Sequence, residues 1–392
     1  MNDTVRRNFR WELSSAVLGC LFLVVYAQFY VPIAIQHGAT NLQVGLMTAA
    51  GPIGLLLSPI WASMINNRRP LPYVIYPNML ARLLILLPAL HAAPWMFLLA
   101  TFAMSVLIGV QAPAYASLMA NVYPSELRGR LMGYVRVASG VLMLPAVYMV
   151  GRWMDRAGGS GPMLAAGVLG FLAFLMFFGM KEANTQLVSQ SRITFREQLR
   201  ILAGNRWLLL FFGTTTIVGF HHMLSLPLYP IIQVNVFQLT NVEIGYIRIA
   251  YYLMLMLGFL IIGSVVDKHS PITALLISFA CHMMVPLLYA MPGNYPAAII
   301  AGGAQGLGDA CWEIGCMNTI FRYAPGKEAV FFGLHLLLHG IRGTIAPMLG
   351  TTLMDVLPLA YIFTYSVLWI AVGFVVLLFG SRLLAKRGIG SL

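Results

Sequence analysis

Residues 40–45 read Thr-Asn-Leu-Gln-Val-Gly, and residues 240–245 read Thr-Asn-Val-Glu-Ile-Gly. Both hexapeptides open a long apolar stretch, and they lie 200 residues apart. Further landmarks recur at the same distance: Asn67-Arg68 with Asp267-Lys268, Gly133 with Gly333, and Gly140 with Gly340. A chain that repeats itself at one long offset is predicted to contain two copies of one helical unit, related as parallel repeats.

Apolar stretches alternate with short connectors along the whole chain, and about 20 apolar residues suffice to cross a bilayer as a helix. With 59% hydrophobic and 9% charged residues, the composition is that of a membrane protein. The predicted spans 1 to 12 are residues 12–34, 41–65, 73–91, 95–121, 129–152, 162–180, 207–233, 241–266, 271–291, 295–322, 329–354 and 358–381. We therefore predict an all-α membrane protein with twelve transmembrane helices in two pseudo-symmetric six-helix bundles.

The predicted domains are an N-terminal bundle (1–180), a linker (181–206) and a C-terminal bundle (207–392). Within the linker, Phe195, Leu199 and Leu202 recur at helical spacing, which predicts an amphipathic helix on the membrane surface. Lysine and arginine in the connectors lie almost entirely on one side of this topology, so both termini are expected in the cytoplasm.

The chain has a net charge of +12, and its basic residues lie in connectors next to the membrane, where they face anionic lipid headgroups. We therefore expect no nucleic-acid partner. The four cysteines lie inside spans without metal-ligand spacing. No nucleotide-binding loop and no nucleophile–base constellation stand out, so neither a cofactor nor an enzymatic activity is expected.

Three connector motifs carry a family resemblance. Residues 263–268 read Gly-Ser-Val-Val-Asp-Lys, the equivalent stretch 63–69 reads Ser-Met-Ile-Asn-Asn-Arg-Arg, and residues 124–130 read Pro-Ser-Glu-Leu-Arg-Gly-Arg. They resemble the connector motifs of the major facilitator superfamily, although Asn67 stands where that family usually has Asp. The resemblance covers nearly the whole chain and implies a secondary transporter that works by alternating access.

The same resemblance implies a gate whose charged groups pair when the inner mouth closes. The expected gate residues are Asn67, Arg68, Glu126, Arg128, Arg130, Gly263, Asp267 and Lys268. Exposed ion pairs are worth only about 0–1 kcal/mol each, which is suitable for biasing two states of similar energy.

Ionisable residues are concentrated in spans 10 and 11, where each costs about 2.5–3.5 kcal/mol unless it has a partner or a wet cavity. Asp309 and Glu313 share one face of span 10, and His335, His339 and Arg342 share one face of span 11. Equal depths in two antiparallel helices predict the pairs Asp309–Arg342 and Glu313–His339. These groups are expected to relay protons; a static ion-pair network and a metal site made of Asp309, Glu313, His335 and His339 are the alternatives, and we expect no metal.

Spans 1, 4, 7 and 10 line the central cavity in the resembled family. Polar and aromatic residues at similar depth are the expected substrate contacts: Tyr26, Gln28, Tyr30, Gln111, Tyr115, His221, His222, Arg248, Tyr252 and Trp312. Because His221 and His222 are adjacent, only one of them can face a cavity squarely, and the other is expected to be a packing residue.

The expected function is secondary active transport of a small organic solute, with export in exchange for protons. One alternative is an importer or uniporter of a sugar, an organic acid or a peptide; the other is a non-transporting assembly factor or sensor with a transporter-like fold. The expected partners are a small-molecule substrate, protons and the lipid bilayer of a bacterial inner membrane, and the protein is expected to be a monomer.

Overall fold

The computed structural model describes residues 3–65, 68–182, 195–268, 270–291 and 294–386. Every regular element within these ranges is a helix. The twelve spans occupy Asp3–Gln36, Asn41–Ile65, Pro70–Leu90, Pro94–Val122, Ser125–Ala157, Ser160–Gly179, Arg206–Val236, Asn241–Lys268, Pro271–Tyr289, Tyr295–Tyr323, Glu328–Met354 and Leu359–Lys386. The predicted fold class, twelve membrane helices in two six-helix bundles, is confirmed.

Helix starts follow from local chemistry that the two repeats share. The side chain of Thr40 accepts a hydrogen bond from the Gln43 amide, and Gln43 Oε1 accepts one from the Thr40 amide at 2.9 Å. Thr240 and Glu243 make the same reciprocal pair at the start of span 8, at 3.2 and 2.8 Å. Such a capping box satisfies two backbone N–H groups that a helix start leaves unpaired. The repeated hexapeptides therefore have the same structural job in both halves.

Spans 1 and 5 exceed their predicted lengths by the most. Span 1 begins at Asp3, so its first turns carry charged residues as well as apolar ones. Span 5 continues through Asp155 and ends at Gly158, whose φ of 75° lies in the left-handed region that favours glycine. Asp155 consequently lies in the last turn of a helix, where a connector was predicted.

Ten of the spans described are long and apolar enough to cross a membrane. The remaining two, spans 10 and 11, have 29 and 27 residues, so their length is also sufficient. They carry Asp309, Glu313 and Arg342, which lower their apolar character. Polarity in these two helices is therefore the first structural sign of where function is located.

The chain forms two compact units. Unit 1 is Met1–Ser189 with Gln233–Tyr246, and unit 2 is Gln190–Ile232 with Ile247–Leu392. In unit 1, span 1 packs against spans 5 and 6, and span 4 packs against spans 2 and 3. In unit 2, span 9 packs along span 10, and span 7 packs against spans 11 and 12. The predicted division into residues 1–180, 181–206 and 207–392 stays a prediction.

The linker contains a helix at Phe195–Gly204, in the region where an amphipathic helix was predicted. Its Ile201 and Leu202 pack against the apolar cluster around Trp207 and Leu208 at the start of span 7. The side chains of Phe195 and Leu199 are outside the described set.

Unit 1 contains a polar junction between the end of span 5 and the start of span 8. Asp155 Oδ1 accepts hydrogen bonds from the backbone and the side-chain amides of Asn241, both at 2.8 Å, and Oδ2 accepts one from the Val242 amide at 3.0 Å. Gly151 allows the close approach, because a Cβ there would lie 2.8 Å from the Asn241 carbonyl oxygen. A carboxylate at a helix N-terminus is favoured by both the free N–H groups and the helix dipole.

Candidate functional site

Unit 2 holds a polar cluster centred on Asp309, which lies midway along span 10. One carboxylate oxygen of Asp309 is 3.0 Å from His282 Nε2 on span 9, and the other accepts a 2.8 Å hydrogen bond from the Tyr251 hydroxyl on span 8. His282 and Asp309 form an ion pair when the imidazole is protonated. Because both carboxylate oxygens have a donor, the ionised group is stabilised at a depth where an isolated charge would be costly.

The two partners of this ion pair differ in their access to the surroundings. The His282 side chain is 2% exposed, whereas that of Asp309 is 31% exposed. Gly308 makes the contact possible, because a Cβ at this position would lie 3.0 Å from the His282 ring. The protein thus holds a buried imidazole behind a carboxylate that stays partly accessible.

A second histidine extends the cluster. The ring of His222 on span 7 lies 4.1 Å from that of His282, measured between centroids. Its Nδ1 is buried and has no hydrogen-bond partner among the described residues. One ligand-type atom each of His222, His282 and Asp309 lie within 4.8 Å of one another. Three proton-binding groups from three spans therefore meet at one point.

Arg342 on span 11 lies close enough to His222 for its charge to act on that ring. Arg342 Nη1 donates a 2.9 Å hydrogen bond to the Thr215 carbonyl, and the guanidinium lies 5.3 Å from the centroid of the Trp312 ring. The cation–π contact contributes about 1–2 kcal/mol in a desolvated place. Arg342 is held in position without a carboxylate.

The predicted pairs Asp309–Arg342 and Glu313–His339 are wrong. Span 10 packs mainly along span 9, so the partner of Asp309 comes from span 9 instead of span 11. Span 11 packs against span 7, and Arg342 turns toward that helix. Glu313 is exposed and His339 is half-buried. Equal depth along two consecutive helices is not sufficient to predict an ion pair, because depth does not determine which helices are neighbours.

His335 lies among aromatic rings. Its buried ring stacks on Phe211 and Phe332 at centroid distances of 6.1 and 6.3 Å. Of the five residues of the expected relay, Asp309 is bonded to His282 and Tyr251, and His222 lies against His282. His282 and Tyr251 were missed, although His282 is an ionisable group in the middle of a span and satisfies the rule that identified Asp309.

The residues expected to contact substrate fall into several environments. His221 is the packing histidine of its pair, since its ring stacks on Trp369 at 5.6 Å while His222 joins the cluster. Tyr30 is 1% exposed, and its hydroxyl donates to the Phe97 carbonyl at 2.9 Å, so it packs within unit 1. Gln28 is buried, whereas Tyr26, Gln111, Arg248, Tyr252 and Trp312 are half-buried.

Tyr115 takes part in a second buried carboxylate site, in unit 1. The hydroxyls of Tyr115 and Tyr123 both donate short hydrogen bonds to Glu12, one to each carboxylate oxygen. Glu12 is 2% exposed. Span 1 is thereby tied to the end of span 4.

The gate motif is described only in part. Arg68 and Arg130 donate to the hydroxyls of Tyr73 and Tyr134 at 2.8 and 2.6 Å, and Arg128 donates to the carbonyls of Ala120 and Tyr123. Asn67 lies outside the described residues, and so do the side chains of Glu126, Asp267 and Lys268. Gly263 lies within span 8. Pairing of the gate charges stays a prediction.

A family model supplies the decisive comparison. The model of the Major Facilitator Superfamily matches residues 13–236, which is more than half of the chain. The chain belongs to the major facilitator superfamily. It is therefore an integral membrane transporter protein, with a small-molecule substrate and a lipid environment.

Solved superfamily structures share the fold over nearly the whole chain. A mutant of the nucleoside transporter NupG matches with a TM-score of 0.78 at 11% identity, covering 95% of this chain and 99% of that one. A bacterial homologue of the human lysosomal transporter Spinster, in an inward-facing and unoccupied conformation, matches with a TM-score of 0.71 at 13% identity and 98% coverage of both chains. No curated protein sequence matches. At such identities the likeness supports the fold and leaves the substrate open.

Proposed function

We propose that this protein is a secondary active transporter of a small organic solute, coupled to protons through Asp309. One observation carries the proposal: a mid-membrane carboxylate is 31% exposed while its imidazole partner His282 is 2% exposed. In this proposal the exposed part of the Asp309 carboxylate exchanges protons, and the buried partner makes proton binding depend on the local arrangement of spans 9 and 10.

Several charged and titratable groups surround Asp309. His282 and Tyr251 contact it directly, His222 lies against His282, and the charges of Arg342 and Arg248 act on His222 and Tyr251. A change in any neighbour alters the free energy of protonating Asp309. A solute that enters the cluster and displaces one of these contacts would therefore change proton binding, which is the requirement for coupling.

We propose that the cluster binds protons and not a metal ion, because its groups bond to one another. His282 and Asp309 are in direct contact at 3.0 Å, and two arginine charges act on the same cluster. Both features disfavour a divalent cation at this position, since nearby positive charge opposes metal binding. The expectation that no metal is bound is retained as part of the proposal.

Export in exchange for protons requires that solute and proton compete for Asp309. That is the direction expected from the sequence, and a cationic or neutral solute that bonds to the carboxylate would satisfy it. Uptake of an organic acid together with a proton is a second candidate, favoured by the arginines of unit 2. A non-transporting assembly factor would need a static cluster, and the accessible carboxylate argues against that role. We retain the expectations of cytoplasmic termini, a bacterial inner membrane and a monomer.

The test is proton movement in proteoliposomes that contain purified protein and a trapped pH-sensitive dye. Uridine, uridine monophosphate, nicotinate and nicotinamide serve as probes, and the wild type is compared with Asp309→Asn and Glu12→Gln. We expect at least one probe to move protons with the wild type and with Glu12→Gln, and none to do so with Asp309→Asn.

The proposal fails if Asp309→Asn transports a probe with the pH profile of the wild type, or if no probe moves protons with the wild type. Right-side-out and inverted vesicles then separate the directions. Exchange acidifies the compartment that loses solute, whereas cotransport acidifies the compartment that gains it.

A further inference from the structure

Two arginines in unit 2 lie near neighbours of Asp309: the charge of Arg342 acts on His222, and the charge of Arg248 acts on Tyr251. Arg342 is 3% exposed, and Arg248 is half-buried on span 8, one turn before Tyr251. The Nε atoms of both are buried and have no hydrogen-bond partner in the described part of the chain. Since Asp309 supplies one negative charge and the arginines two positive ones, the cluster has a surplus of positive charge when its histidines are neutral.

The space around Arg342 is built for its guanidinium. A Cβ at Gly219 would lie 2.7 Å from the Arg342 Cζ, so only glycine leaves room on span 7. Trp312 covers the guanidinium from span 10, and the Thr215 carbonyl accepts from Nη1. Spans 7 and 10 thus hold the Arg342 side chain of span 11, and its Nε has no partner among the described residues.

A buried N–H group without an acceptor is destabilising, and more so when it belongs to a charged group. Nearly all buried polar groups in proteins are paired, so a buried guanidinium Nε without an acceptor requires an explanation. Glu313 and Glu12 do not provide one, because Glu313 is exposed and Glu12 is bonded to two tyrosines in unit 1. A ligand that binds and dissociates would supply the missing hydrogen-bond acceptor.

Resting on the function proposed above, we infer that the transported solute is an anion, and that its carboxylate or phosphate group binds to Arg342 with support from Arg248. Guanidinium groups bind both groups through paired, charge-assisted hydrogen bonds. The aromatic face of Trp312 beside Arg342 offers an apolar surface for the rest of the solute. Asp309 completes the site as the group whose protonation removes the one negative charge that opposes anion binding. The anion and the proton then bind together, so this inference favours the second candidate given above, cotransport, over exchange.

A matched control exists in unit 1. Arg82 is 9% exposed, and its guanidinium lies 4.0 Å from the centroid of the Phe22 ring. It is also a mid-membrane arginine without an ion pair in the described residues, but its Nε is not among the orphaned atoms. Replacing it removes an equal charge from the membrane interior and leaves the unit 2 cluster intact.

The experiment measures the thermal stabilisation of the purified full-length protein by pairs of probes that differ mainly in charge. The pairs are nicotinate with nicotinamide and uridine monophosphate with uridine, and inorganic phosphate is added alone. Carboxylate and phosphate probes together distinguish the two anion types. The variants are Arg342→Gln, Arg342→Lys, Arg248→Gln and the control Arg82→Gln.

We expect an anionic probe to stabilise the wild type and Arg82→Gln, and its neutral analogue to do so at least about 10-fold more weakly. Arg342→Gln should weaken anion binding by about 10- to 100-fold, and Arg248→Gln by less. If Arg342→Gln does not fold, Gly219→Ala and Arg342→Lys serve instead. Both keep the positive charge: the first displaces the guanidinium, and the second replaces it with an amine. Each should weaken anion binding by about 10-fold.

Equal stabilisation by the charged and neutral members of each pair overturns the inference, and so does the absence of stabilisation by every anion. Undiminished anion binding by Arg342→Gln, or by both substitute variants, contradicts it as well. Failure of proton coupling is a separate result: anion binding with no proton movement rejects the proposed function alone, whereas proton movement with a neutral probe only rejects this inference alone.

Discussion

Each unit contains one buried carboxylate that accepts hydrogen bonds from tyrosine, and the two sites differ in what completes them. Glu12 in unit 1 is 2% exposed and is bonded to two tyrosine hydroxyls. Asp309 in unit 2 is 31% exposed and has one tyrosine and one histidine as partners. Tyrosine hydroxyls do not titrate near neutral pH, whereas imidazole does.

We interpret this difference as the one between a structural site and the functional site proposed above. Glu12 is sealed, fully paired and tied to the end of span 4, so it joins helices. Asp309 is accessible, and its surroundings include an unpartnered histidine nitrogen and two orphaned guanidinium nitrogens. A network that is complete in the absence of ligand stabilises the fold, whereas an incomplete one leaves a place for a ligand.

The largest stability effect should come from Glu12. Replacing it with Leu leaves the hydroxyls of Tyr115 and Tyr123 buried without an acceptor, at a cost of about 3 kcal/mol. Asp309→Leu should cost less stability, because the carboxylate is partly exposed. Denaturation of both variants in detergent measures the difference, and a more stable Glu12→Leu than Asp309→Leu would reverse our assignment of roles.

A pair of buried histidines in unit 2 tests which neighbour matters for coupling. His282→Ala removes a donor to the Asp309 carboxylate, worth about 1.5–3 kcal/mol, so proton-driven accumulation should fall by about 10- to 100-fold. His221→Ala removes ring contacts with Trp369 and Tyr365 and a hydrogen bond to the Ile217 carbonyl, none of which involves Asp309, so coupling should persist. Accumulation in proteoliposomes is the measurement. Equal losses in the two variants would mean that general packing, and not the ion pair, supports coupling.

The smallest effect is expected at the polar junction of unit 1. Asp155→Ala removes the acceptor for the Asn241 and Val242 amides, and loss of such a cap costs about 1 kcal/mol. The matched variant is Thr240→Ala, which breaks the capping box of the same helix and should cost a similar amount. Thermal unfolding measures both. No change with Asp155→Ala would show that water replaces the carboxylate.

Much of the architecture follows from the sequence, because apolar length and turn residues determine helices locally. The capping boxes at Thr40 and Thr240 show why the repeated hexapeptides predict helix starts. The cluster was predicted only in part. Asp309 and Arg342 are visible as charges in a membrane span, but their partners depend on which helices are neighbours. His282 reaches Asp309 because Gly308 lets span 9 approach span 10, and this packing is a tertiary property that helical spacing does not encode.

The central claim is that Asp309, and not Glu12, exchanges a proton with the surroundings. Infrared difference spectra of the purified protein, recorded on a pH jump with a chelator present, detect protonation of a carboxyl group directly. We expect a carboxyl band in the wild type and in Glu12→Gln, and its absence in Asp309→Asn. A band that persists in Asp309→Asn and disappears in Glu12→Gln would contradict the account.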